Sequence, residues 1–133
     1  MRFCTDTWFL MKIFANDQKA RDLVRRADEG KDWILIPLIA FAEMTKKMMM
    51  EGISQLKINE FFNDIERVEK VKMIYPSKEI ANEAAKVSLS YKLSLLDAFV
   101  AATAKNTGCD VLLSADSDYR LIMKQKYLKV QSW

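Results

Sequence analysis

Five short β-rich runs alternate with longer stretches of helical periodicity, and that alternation confines the chain to a parallel α/β fold. Strands are predicted at residues 2–5, 33–36, 72–75, 110–113 and 128–131. Helices are predicted at 17–29, 39–50, 59–68, 77–91 and 93–106. The first carries Ala20, Leu23, Val24 and Ala27 at helical spacing, and Ser77 is placed to cap the fourth. Pro37 and Pro76 each follow a β-rich run and read as strand exits. Strands separated by helices join through crossovers, which cover both faces of a mostly parallel sheet. The expected architecture is a three-layer α/β/α fold with about five strands. All 133 residues are expected to form one domain.

In such sheets, functional sites gather outside the carboxyl ends of the strands. Asp6 follows the first strand, Asp116 follows the fourth, and Asp118 comes two residues later. Glu43 lies on the helix after the second strand, between Phe41 and Met44. Asp97 stands one turn into the helix opened by Ser94, where Ala98, Ala101, Ala102 and Ala104 form a small-residue face. That face lets the helix approach the sheet closely, which carries Asp97 to the same rim. Each acid has an ordinary use when taken singly. Asp6, Asp116 or Asp118 could cap a helix, Asp97 could complete a capping box with Ser94, and Glu43 could be solvated. Those uses do not explain why all of them fall on one rim. A cluster of unneutralised acids repels itself, and it makes sense mainly as the seat of a hard divalent cation with oxygen ligands.

Composition removes the main competitors. The chain has no histidine, which excludes Ser-His-Asp and Cys-His catalysis and histidine-ligated zinc. Its two cysteines, Cys4 and Cys109, form no CxxC and read as buried reduced thiols. The only glycines, Gly30, Gly52 and Gly108, are too dispersed for a phosphate-binding loop. No apolar run reaches the ~20 residues that span a bilayer, and the start carries no signal pattern, so a cytoplasmic protein is expected. The formal charge is +3, from 21 basic and 18 acidic residues. Setting the five candidate acids aside deepens the basic excess of the remainder, which suits a polyanionic substrate drawn toward an acidic, cation-holding pocket.

Four segments together resemble the PIN-domain nucleases, and more closely the VapC-like ribonuclease toxins. They are Thr5-Asp6-Thr7, Ile39-x-x-x-Glu43, the run from Leu93 through Asp97 to Ala104, and Ser114-Ala115-Asp116-Ser117-Asp118-Tyr119. Order and spacing agree over nearly the whole chain. Departures are Trp8, where the family often has a small polar residue, and Lys92, where it often has glycine. Ser114 and Tyr119 stand in for the commoner threonine and phenylalanine.

The resemblance implies a metal-dependent endoribonuclease, the toxin of a VapBC-like pair. Asp6, Glu43, Asp97 and Asp116 are its expected catalytic residues. Asp6, Asp97, Asp116 and Asp118 are expected to hold Mg2+ or Mn2+, with Ser114 and Thr7 as supporting hydroxyls. Lys46, Lys47, Lys92 and Arg120 are candidate RNA contacts. Expected partners are RNA, a small antitoxin and a second copy of the chain, with Met11, Phe14 and Met48 as candidate interface residues. The Met48-Met49-Met50 run is otherwise read as core or partner surface. Rival readings are an RNA-processing nuclease of the same fold without a toxin role, a receiver-like signalling domain, and a non-catalytic binding module. Against the receiver, Asp6 stands alone after the first strand, and Pro76 occupies the exit where a phospho-accepting acid is needed.

Overall fold

The computed structural model describes residues 1–133. Its centre is a five-stranded sheet in the order β3-β2-β1-β4-β5, with every neighbouring pair parallel. The strands are β1 (Arg2–Thr5), β2 (Trp33–Pro37), β3 (Val71–Ile74), β4 (Val111–Leu113) and β5 (Val130–Gln131). Between β1 and β2 lie α1 (Thr7–Phe14) and α2 (Gln18–Asp28). Between β2 and β3 lie α3 (Leu38–Met50) and α4 (Gln55–Glu66). The pair α5 (Lys78–Tyr91) and α6 (Leu95–Asn106) precedes β4, and α7 (Arg120–Lys124) precedes β5.

Side chains alternate across each strand, and the alternation divides the core in two. Phe3, Ile34, Ile36, Val111 and Leu113 face one cluster, built with α1 to α4. Cys4 and Leu112 face the other, built with α5, α6 and α7. This is the expected α/β/α sandwich. β1 sits at its centre, so its exit and that of β4 lie side by side, with Thr5 in register with Leu113. The chain leaves β1 toward one face and reaches β4 from the other. This switch point is where such sheets hold their sites.

Helix α6 shows how the sequence aims one acid. Ala98, Ala101, Ala102 and Ala104 are all buried, and the helix packs against β1, β2 and β4. Ser94 caps it, accepting from the Asp97 backbone N–H at 3.2 Å. The cap starts the helix beside the rim, and the alanine face holds it close to the strands.

Several expectations shift. Helix α1 was not set apart in the sequence pattern; Asp6 caps it, and Phe9 and Leu10 anchor it in the core. Helix α4 begins at Gln55, capped by Ser54, four residues before the expected start. Strand β5 is only Val130–Gln131. Met48 is not interface material. It is 1% exposed, continuing the inward stripe of Ala40 and Met44 at four-residue spacing, while Met49 and Met50 project outward. Met11 is partly buried against the same core, and Phe14 alone of the three is exposed. Both cysteines are unpaired, Cys4 fully buried and Cys109 partly so.

Candidate active site

Asp6 sits where β1 becomes α1. Its backbone N–H extends the sheet ladder to the Leu113 carbonyl at 3.3 Å. Its carboxylate accepts twice: Oδ1 from the Trp8 N–H at 2.8 Å, and Oδ2 from the Ser114 hydroxyl, which reaches across from the end of β4. The same Ser114 oxygen accepts from the Asp116 N–H at 3.0 Å. Asp116 in turn accepts from the Asp118 N–H at 2.9 Å, opening the 3-10 turn Ser117–Tyr119. Ser114 is 3% exposed and thereby ties the two strand exits together.

Asp6, Glu43, Asp97 and Asp116 line one cavity of about 330 Å³, together with Thr7 and Lys47. Carboxylate oxygens of Asp97, Asp116 and Asp118 all lie within 4.8 Å of one another. Tyr119 is buried behind them, its hydroxyl 3.4 Å from the Asp97 carbonyl oxygen, which accepts its proton. Burial and the surrounding acids push that phenol well above its usual range, so it stays a donor.

The electrostatics are those of crowded acids, with Asp6, Glu43 and Asp97 partly buried and Asp116 and Asp118 exposed. Asp6 is pushed up to about 6, first by burial and also by Asp116, although the Ser114 and Trp8 hydrogen bonds oppose the rise. Burial likewise raises Glu43, with Asp97 adding to it, while Lys47 and Thr7 pull the other way. Burial raises Asp97 too, with contributions from Asp116 and Asp118. None of these five acids forms an ion pair; the six ion pairs of the chain lie elsewhere.

The structure gathers all five candidate acids but divides them. Asp97, Asp116 and Asp118 form the set whose oxygens share one point. Asp6 stands deeper, its oxygens already engaged, and Glu43 faces the set from α3. The donor set is all oxygen, closely spaced and free of ion pairs, and it fits a hard divalent ion. Thr7 is buried beside Glu43. Of the basic candidates, Lys47 lines the acid cavity and Arg120 lines an adjoining hollow with Ser114 and Asp116. Lys46 lines a different hollow, beside Phe41 and Met49. Lys92 lines neither; it ends α5 in the left-handed conformation, with φ at 54°. Sequence reasoning missed Trp133, whose ring packs on Trp8 at the cavity edge, 4.9 Å between centroids.

A family model described as the PIN domain matches residues 3–124. The chain belongs to the PIN domain family. No curated protein matches it by sequence. Solved structures share its fold at low identity. VapBC2 from Rickettsia felis, bound to a promoter DNA fragment, superposes with a TM-score of 0.76 at 12% identity, covering 100% of this chain and 99% of that one. VapBC-1 from nontypeable Haemophilus influenzae gives 0.65 at 20% identity, over 100% and 98%. VapC20 from Mycobacterium tuberculosis, described as a sarcin-ricin loop cleaving toxin, gives 0.66 at 14% identity, over 89% and 92%. In this PIN domain no single helix is long and apolar enough to cross a membrane.

Proposed function

We propose that this PIN domain, acting as one 133-residue unit in the cytoplasm, is a divalent-metal-dependent endoribonuclease and the toxin of a VapBC-like pair. The observation that carries the reading is the convergence of Asp97, Asp116 and Asp118 within 4.8 Å, beside a cavity that also holds Asp6 and Glu43. Asp97, Asp116 and Asp118 would hold Mg2+ or Mn2+. When bound, the cation lowers the pKa of water and offsets charge gathering on the phosphate oxygens. Asp6, fixed by Trp8 and Ser114, supplies negative charge at the cavity floor and keeps the two strand exits in register. Glu43 faces the cavity from α3, where its raised proton affinity suits a carboxylate that accepts the proton of an attacking water. Lys47, one turn along the same helix, is placed to pair with a substrate phosphate.

The fold similarity to toxin–antitoxin complexes supports an antitoxin partner, and the same analogy extends to a homodimer. The deciding test is incubation with total RNA in magnesium, with chelator and Asp97→Asn as controls and end mapping of the fragments. Cleavage lost in both controls is the expected result. Equal cleavage by Asp97→Asn ends the reading. The toxin role is tested separately: expression should arrest growth, and co-expression of a small cognate partner should relieve the arrest. Cleavage without arrest leaves an RNA-processing nuclease.

A further inference from the structure

Trp8 packs partly buried against the core built with α1 to α4, and it also reaches the acid cavity. Its backbone N–H holds Asp6, and its partly exposed ring lines the acid cavity on the α1 side. The ring of Trp133 meets it edge-to-face, 4.9 Å between centroids at 68°. The Trp133 indole N–H donates to Asp17 Oδ2 at 2.9 Å, which fixes that ring's orientation. Two ammonium groups lie over these rings as cation–π partners on flexible stems: Lys12 Nζ is 5.5 Å from the Trp8 centroid, and Lys19 Nζ is 5.0 Å from that of Trp133. Lys12 has only a long ion pair, 3.9 Å to Asp17, and Lys19 has none. Indole rings and lysines therefore run outward from the cavity edge in one continuous strip.

Aromatic faces interleaved with free ammonium groups bind single-stranded nucleic acid, because every base has a face to stack and every linkage carries a charge. A duplex cannot present an unstacked base to such a strip. We infer that Trp8 and Trp133, with Lys12 and Lys19, form a stacking subsite for an unpaired nucleobase next to the cleaved phosphodiester. The subsite rests on the nuclease reading and adds to it a preference for unpaired RNA. Trp8 then couples two tasks: its N–H positions Asp6, and its ring positions the strand.

The test separates binding from cleavage. Binding of labelled unpaired oligoribonucleotides to Asp97→Asn protein is measured by anisotropy, and stacking by indole fluorescence. Trp33 lies at the opposite end of the sheet, beside Arg2 and Lys70, so a Trp33→Phe background leaves only the two relevant reporters. The expected results are quenching on binding, Trp8→Leu weakening affinity roughly tenfold to a hundredfold, and Trp8→Phe restoring most of it. In the cleaving protein, Trp8→Leu raises KM with little change in kcat. If Trp8→Leu does not fold, the unmodified indole is probed from the other side: an abasic nucleotide beside the cleaved linkage must reduce both affinity and quenching. Equal affinity for intact and abasic strands, or saturable binding without quenching, overturns the subsite. Cleavage without Trp8 dependence sinks the subsite alone. Trp8-dependent binding without cleavage sinks the nuclease reading alone, and absence of binding sinks the subsite.

Discussion

The two ends of the same sheet each hold a carboxylate out of water, and they treat it in opposite ways. Asp32, just before β2, is 3% exposed and neutralised twice, by Arg26 at 2.6 Å and by the N-terminal ammonium at 2.9 Å. Arg26 above all holds it below the usual carboxylate range. Asp6, at the exit of β1, has two hydrogen-bond donors but no ion pair, and burial with Asp116 beside it pushes it up to about 6. Both also serve the fold, Asp32 by joining Arg26 to the N-terminus and Asp6 by capping α1. Asp32 is a closed arrangement that needs nothing further. Asp6 and its neighbours form an open one, whose charge no ion pair offsets and which a bound cation would neutralise.

The sharpest way to break the comparison is Asp97→Asn. Its side chain serves no backbone donor, since Ser94 caps α6, so the fold should stand. Cleavage should fall by roughly a thousandfold or more. The same variant should lose the thermal stabilisation that magnesium confers on the wild type. If magnesium stabilises both proteins equally, the cation sits elsewhere.

Asp6→Asn probes the cost of the open end. A carboxyl raised in the folded state keeps its proton between the unfolded value near 4 and the folded value of about 6, so the fold loses stability as pH rises through that window. With metal chelated, Asp6→Asn should therefore gain on the wild type from pH 4 to 6, reaching about 2–3 kcal/mol at neutrality. Urea unfolding at a series of pH values reads the difference. Magnesium should narrow it, and its apparent affinity for the wild type should drop below about pH 6, where protons compete.

Asp32→Asn probes the closed end and should do the reverse. Loss of the buried charge leaves Arg26 without its partner and costs about 2 kcal/mol at neutral pH. Because the folded value of Asp32 is depressed, its contribution is present above the unfolded value and fades as pH falls through the folded one. Wild type and variant should thus converge in acid. RNA cleavage at a temperature where both are folded should be unchanged; a loss would mean that the two ends communicate.

Sequence reasoning located the rim because parallel topology forces it: every strand exit lies on one side, and Asp6 and Asp116 sit at exits. It also reached Glu43 and Asp97, whose helices start at that rim. What it could not read was the hydrogen bonding within the cluster. The sequence groups Asp6 with the expected metal ligands, and the structure adds that its oxygens accept from Trp8 and Ser114. The second of these bonds crosses 108 positions and depends on which way a buried hydroxyl turns. Adjacent lysines raised the same difficulty. Lys46 and Lys47 differ by one residue, about 100° around a helix, and only the phase of α3 sends Lys47 to the acids. Three consecutive methionines were equally undivided until Ala40 and Met44 fixed which one faces inward. The meeting of Trp8 with Trp133 leaves no periodic trace, since it joins the two ends of the chain's contact map.

The smallest expected effect is the most discriminating about the basic candidates. Lys92 closes α5 at φ 54° and ψ 38°, a left-handed conformation in which a β-carbon is crowded. Lys92→Gly removes that crowding but adds freedom to the unfolded chain, so the net gain should be modest, about 0.5–1 kcal/mol. Its side chain lies outside the acid cavity and the adjoining hollow, so RNA affinity should not change and neither should its salt dependence. A lysine that did contact a phosphate would, when removed, weaken binding and reduce the slope of log affinity against log salt by about 0.7. Greater stability with an unaltered slope identifies Lys92 as a helix terminator in a position suited to glycine. A reduced slope would instead extend the RNA path past α5 and place the strand across the opposite flank of the site from Trp8.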